Sequence, residues 1–88
     1  MSSWDTAQVA VSSSAAVLLH AGIPGGANIA LTNTGSIAIF VSNSPNVTTA
    51  TGALLPGGVG AYKVIPTNQP VYGIAQSGTP TIGVEAFY

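Results

Sequence analysis

The chain contains no cysteine, so neither a disulfide nor a thiolate metal site holds it together. It also contains almost no charge. Lys63 is the one basic residue, and Asp5 and Glu85 are the two acidic ones. Charged residues make up 3% of the 88, against about 25% in an ordinary soluble domain. A single cation cannot track a phosphate backbone, which excludes nucleic-acid binding. No apolar run reaches the roughly 18–20 residues of a membrane helix. The longest candidate, residues 15–26, is interrupted by His20, Gly22 and Pro24. The opening residues MSSWDTAQ have neither the basic nor the apolar segment of a signal peptide, so no export is expected and the sequon Asn46-Val47-Thr48 reads as coincidental.

The same shortage removes most chemistry. General acid–base catalysis needs positioned titratable groups, and the inventory is His20, Asp5, Glu85, Lys63 and three tyrosines. Ser12, His20 and Asp5 spell a triad by residue type only; no nucleophile-elbow pattern accompanies them. His20 reads instead as a polar residue closing a strand beside Gly22. One histidine and two scattered carboxylates build no metal site within one chain. Copies of His20 or Glu85 gathered around a symmetry axis would be the remaining route. The glycines at 52, 57, 58 and 60 lack the Gly-Lys-Ser/Thr and the following helix of a phosphate loop. The expectation is no enzyme, no cofactor and no metal.

What the chain has is apolar surface. Hydrophobic residues make up 47% of it, and mean hydropathy is +0.51. With formal net charge −1, little repulsion keeps copies apart. A domain of this size buries only about 60–65% of its unfolded surface, and association is a common remedy. The composition therefore suggests a surface largely covered by copies of the chain or by a partner. The plainer reading is a neutral Ser/Thr/Asn/Gln surface on a monomer.

Period-2 alternation marks strands at residues 8–11, 16–20, 28–32, 37–41, 61–65, 71–75 and 81–88. Gly, Pro and Asn punctuate the gaps. Asn33-Thr34-Gly35 reads as a tight hairpin connection. No segment of ten or more residues shows a helical period. Short strands at this spacing predict an all-β fold, a small antiparallel β-sandwich, jelly-roll- or Ig-like, with seven or eight strands. Residues 1–88 form one domain, with 1–7 as an N-terminal arm. The stretch VSNSPNVTTATGALLPGG (residues 41–58) is too long for a structureless loop and carries apolar anchors that a flexible linker lacks. It reads as a structured excursion with a short strand near 47–50, pinned by Val47, Leu54 and Leu55.

Several strands carry apolar residues on both faces. If Ile37, Ile39 and Val41 face inward, Ala38 and Phe40 face out; if Val17 and Leu19 face inward, Leu18 and His20 face out. Tyr72 and Ile74 lie opposite Val71, Gly73 and Ala75. Exposed patches of this kind mark protein contacts, although a one-residue bulge would reverse the faces. Trp4, on the arm, either enters a neighbour's pocket or folds back on its own core. Lys63 and Glu85 both fall at predicted outward positions, within reach of pairing. The candidate partner-contact residues are Trp4, Leu18, Ala38, Phe40, Ser42, Asn43, Pro45 and Tyr72.

Five motifs carry a family resemblance: Leu31-Thr32-Asn33-Thr34-Gly35, Ile39-Phe40-Val41, Val47-Thr48, Gly52-Ala53-Leu54-Leu55-Pro56-Gly57, and Val71-Tyr72-Gly73-Ile74-Ala75 with Gly78-Thr79. Together, over residues 27–88, they resemble small capsid decoration (cement) proteins and related β-sandwich structural modules of tailed bacteriophages. The resemblance is one of strand and turn types, and this chain departs from it at Ser42-Asn43-Ser44-Pro45. It implies a non-enzymatic virion protein, made in the host bacterial cytoplasm and seated on the capsid exterior. It further implies contacts with the major capsid protein and copies of itself, as a homotrimer. Two other readings fit the residues: a fibre or tail module binding a receptor or glycan, with Phe40, Tyr62 and Tyr72 as its aromatics, and a membrane-inserting or fibril-forming β protein.

Overall fold

In a computed structural model, residues 4–58 and 60–88 are described. They form eight strands: β1 (Trp4–Ala10), β2 (Val17–His20), β3 (Ala27–Asn33), β4 (Ile39–Ser42), β5 (Ala53–Leu55), β6 (Ala61–Thr67), β7 (Val71–Ala75) and β8 (Thr81–Phe87). They make two antiparallel sheets of four. Sheet A has the order β1-β8-β3-β6 and sheet B the order β2-β7-β4-β5. This is the strand order of a jelly roll, which resolves the choice the sequence left between jelly-roll and Ig-like sandwiches.

The pairing follows one rule. β1 pairs with β8, β2 with β7, β3 with β6 and β4 with β5. The chain is thus a single long two-stranded ribbon, folded so that successive segments alternate between sheets. Pairing of β3 with β8 and of β4 with β7 then closes each sheet. Among the described residues, only β4 and β5 are consecutive strands in one sheet, so residues 43–52 are the apex of the ribbon.

The core lies between the sheets, because each strand turns its apolar parity inward. Ile29 and Leu31 from β3 and Ile82, Val84 and Ala86 from β8 meet Ile39, Val41, Leu55, Val71 and Ala75 from sheet B. Gly73 sits on the inner face, where an added Cβ would come 2.9 Å from Leu19 Cδ1; its missing side chain makes room for that leucine.

The segment Asn33-Thr34-Gly35 is not a hairpin. It leads from β3 in sheet A to β4 in sheet B. A two-residue type I′ turn needs positive φ at both central residues, and among the described residues no non-glycine has it, nor does Gly35. The Asn33 side chain instead organises a crossover. Fully buried, it donates through Nδ2 to Ile37 O (2.7 Å) and Pro56 O (3.1 Å), while Oδ1 accepts from Gly35 N–H (3.0 Å). It thereby ties the β3–β4 crossover to the β5–β6 crossover. The two also bond directly, Gly58 N–H to Gly35 O at 2.7 Å and Gly60 N–H to Asn33 O at 3.0 Å. Gly57 allows this approach, since a Cβ there would collide with the Ser36 carbonyl.

Three further expectations change. Residues 4–7, read as arm, are the first part of β1 and pair with β8; residues 1–3 of that arm lie outside the described residues. The strand expected near 47–50 falls instead at Ala53–Leu55. Residues 48–51 form a turn in which Thr48 N–H bonds Thr51 Oγ1 (2.9 Å) and Ala50 N–H bonds Thr48 Oγ1 (3.2 Å). Val47 and Leu55 are buried, but Leu54 is half exposed, because neighbours in a strand face opposite ways.

Candidate functional site

The outer face of sheet B is an uncharged apolar surface. Leu18, Tyr72 and Ser42 form one cross-strand row, and Ile74, Phe40 and Leu54 form the next. Leu18 is 45% and Leu54 50% exposed, while Phe40, Tyr72 and Ile74 are half-buried. Ala38 continues the face just before β4, where its carbonyl accepts from Gln76 N–H at 3.0 Å. Lys63, Asp5 and Glu85 lie on β6, β1 and β8, so all three charged side chains belong to sheet A. Sheet B presents apolar side chains with no charge among them.

The structure therefore brings five predicted contact residues together: Leu18, Ala38, Phe40, Ser42 and Tyr72. Asn43 and Pro45 sit beside them, exposed on the ribbon apex. Asn43 Nδ2 donates to Gln69 Oε1, which fastens the apex to the β6–β7 connection. Trp4 is elsewhere. It lies on the outer face of sheet A, 63% exposed, stacked on Phe87 with ring centroids 6.3 Å apart. Its indole N–H donates to Glu85 Oε2 at 3.1 Å. It is neither on an arm nor in the core. Sequence reasoning missed Leu54 as a surface residue. The signal was present in the adjacent pair Leu54-Leu55, only one of which a strand turns inward.

Lys63 and Glu85 do not pair. Lys63 stands opposite Leu31, on the inward-facing side of β6, whereas Glu85 stands opposite Ala30 on the outer side. The alternation in β6 is set by Ala61 and Ile65, which pack on the core and carry Lys63 with them. Lys63 lines an open groove of about 360 Å³ between the sheet margins, together with Val41, Asn43, Ile65 and Val71.

Among the described residues, no three His, Asp or Glu side chains stand together. His20 ends β2, and its Nδ1 accepts from Gly22 N–H at 3.0 Å. Asp5 accepts the Tyr88 hydroxyl at 2.6 Å. That hydrogen bond, with lesser contributions from desolvation and the Asp5 charge, raises the Tyr88 phenol above its ordinary 10.0.

No protein-family model matches the chain, and no curated protein matches it in sequence.

Proposed function

We propose that the chain is a non-enzymatic structural protein of a bacteriophage virion, which docks on the outer capsid surface and cements neighbouring capsid subunits. The observation that carries this reading is the outer face of sheet B, with Leu18, Phe40, Leu54, Tyr72 and Ile74 contiguous and uncharged. The resemblance of residues 27–88 to capsid decoration proteins supports it. Jelly rolls occur in viral capsid proteins and in lectins alike, so the fold by itself does not select a function. The partners in this reading are the major capsid protein and copies of the chain. Nucleic acid, membrane and cofactor have no part in it.

The mechanism is burial of area, repeated many times. Each Å² of apolar surface removed from water contributes roughly 25 cal/mol before the costs of association. A lattice of sites then adds avidity without any single strong contact. Because the docking face carries no charge, salt has little to screen.

The test is cosedimentation of the purified protein with capsids assembled without it. The expected result is pelleting that persists at high salt and that Leu18→Asp with Phe40→Asp abolishes. Absence of pelleting, or release at moderate salt, overturns the proposal.

A further inference from the structure

A jelly roll has four sheet edges, and here three of them are blunted. β5 has three residues. β2 has four and is broken by a register shift between Leu18 and His20. β6 carries Pro66, which has no N–H to offer, and the inward-directed Lys63. Short strands, bulges, proline and inward charge are the devices by which proteins keep edges from pairing. β1 has none of the first three. It runs for seven residues in continuous register with β8, contains no proline or lysine, and pairs with nothing on its other side among the described residues. Its inward-directed charge, Asp5, is engaged by the Tyr88 hydroxyl.

The groups it leaves free follow from its register. Val11 N–H bonds Pro80 O at 2.8 Å, so the residues of that parity, Asp5, Ala7 and Val9, direct their backbone groups at β8. Trp4, Thr6, Gln8 and Ala10 direct theirs away from it, and all four residues are exposed. We propose that this edge pairs with β1 of a second copy, antiparallel about a two-fold axis through Ala7, to make one continuous eight-stranded sheet.

The strand is self-complementary in that register. It is the one two-fold pairing that uses all seven residues, a span of about 24 Å at ~3.4 Å per residue. Thr6 bonds to Gln8 of the second copy, and Trp4 to Ala10, each pair occurring twice by symmetry. The largest side chain of the strand thus meets one of the smallest, and the exposed indole gains a surface to cover. Asp5 lies opposite Val9, and the two Asp5 carboxylates stand four residues, about 14 Å, apart. Ala7 faces its own copy as a non-hydrogen-bonded pair, with Cα atoms about 4.5 Å apart. The contact names a self-association surface but does not depend on the capsid reading. It gives a closed dimer, whereas the resemblance implies a trimer.

The absence of cysteine makes the test clean. At ~4.5 Å, Ala7→Cys meets disulfide geometry across the axis, whereas Asp5→Cys, at about 14 Å, does not. In mild oxidant the Ala7→Cys protein is expected to form a covalent dimer at least roughly tenfold faster than Asp5→Cys. Sedimentation of the unmodified protein is expected to show a reversible, concentration-dependent monomer–dimer equilibrium, as a small interface gives. Gln8→Pro deletes an outward N–H without touching the β8 ladder, and is expected to yield a monomer with unchanged far-ultraviolet circular dichroism. Equal crosslinking rates, a trimer without the Ala7→Cys crosslink, a monomer at every concentration, or a dimer that survives Gln8→Pro each overturn the proposal. All of this is read on the isolated protein. A failure of capsid docking therefore leaves it standing, and a monomer here leaves the docking test untouched.

Discussion

The two sheets have similar inner faces and opposite outer ones. Inside, both present Val, Leu, Ile and Ala at alternate positions and share one core. Outside, sheet A mixes Glu85, Asn28, Thr6, Thr32 and Gln8 with Trp4, Phe87, Val64 and Tyr62. Sheet B sets Leu18, Phe40, Leu54, Tyr72 and Ile74 side by side. An inner face is dictated by folding, which both sheets must satisfy. An outer face is free of that demand, so a difference there points to what lies beyond the monomer.

The comparison breaks most forcefully on the inside. Leu31→Ala in sheet A and Ile39→Ala in sheet B, both fully buried, are each expected to cost about 2–5 kcal/mol, measured by urea unfolding. A much smaller cost for one would show that the sheets do not share a core equally. Next comes the tie between the crossovers. Asn33→Ala leaves the Ile37 and Pro56 carbonyls without their donor and the Gly35 N–H without its acceptor, and a loss of about 2–3 kcal/mol is expected. The outer faces are sharpened by paired substitutions. Leu54→Asp in sheet B and Tyr62→Glu in sheet A are each expected to change stability by no more than about 1 kcal/mol. Only the sheet B substitution is expected to reduce capsid cosedimentation; equal losses would dissolve the distinction.

The smallest effect is a titration. Asp5 holds the Tyr88 proton, so the folded phenol ionises above 10.0. A group of raised pKa favours folding below its unfolded value and loses that contribution as pH rises through the folded one. Asp5→Asn is therefore expected to move the Tyr88 ionisation, followed by ultraviolet absorbance, down toward 10.0, and to lose at neutral pH only the small contribution that an exposed hydrogen bond makes.

Alternation alone made the inner residues legible. Ile29 with Leu31, Ile39 with Val41, and Ile82 with Val84 and Ala86 are buried where period 2 places them. Topology was less legible, because local turn chemistry does not say which sheet the next strand enters. Asn33-Thr34-Gly35 has hairpin composition, yet its asparagine spends both ends of its amide on a crossover. Faces failed where the pattern is ambiguous. Leu54-Leu55 reads as two anchors until β5 fixes the parity, and Tyr62-Lys63-Val64-Ile65 contains an apolar residue on each parity. Much of the candidate site was visible because sheet B repeats large apolar residues on both parities. Trp4 was misplaced because a polar sequence around it concealed a strand.

The ribbon apex has a kinetic consequence. β4 and β5 close a short loop, β3 and β6 a longer one, β2 and β7 longer still, and β1 and β8 join nearly the whole described chain. Loop-closure entropy grows with each step, and each later pairing is shortened by those already formed. Zipping outward from residues 43–52 is then the least costly route, with β1 the last strand to dock. Substitutions at Val47 or Leu55 are expected to slow folding, while those at Val9 mainly hasten unfolding. The last strand to arrive is also the edge strand that carries no shortening, bulge or proline to keep another strand from pairing with it.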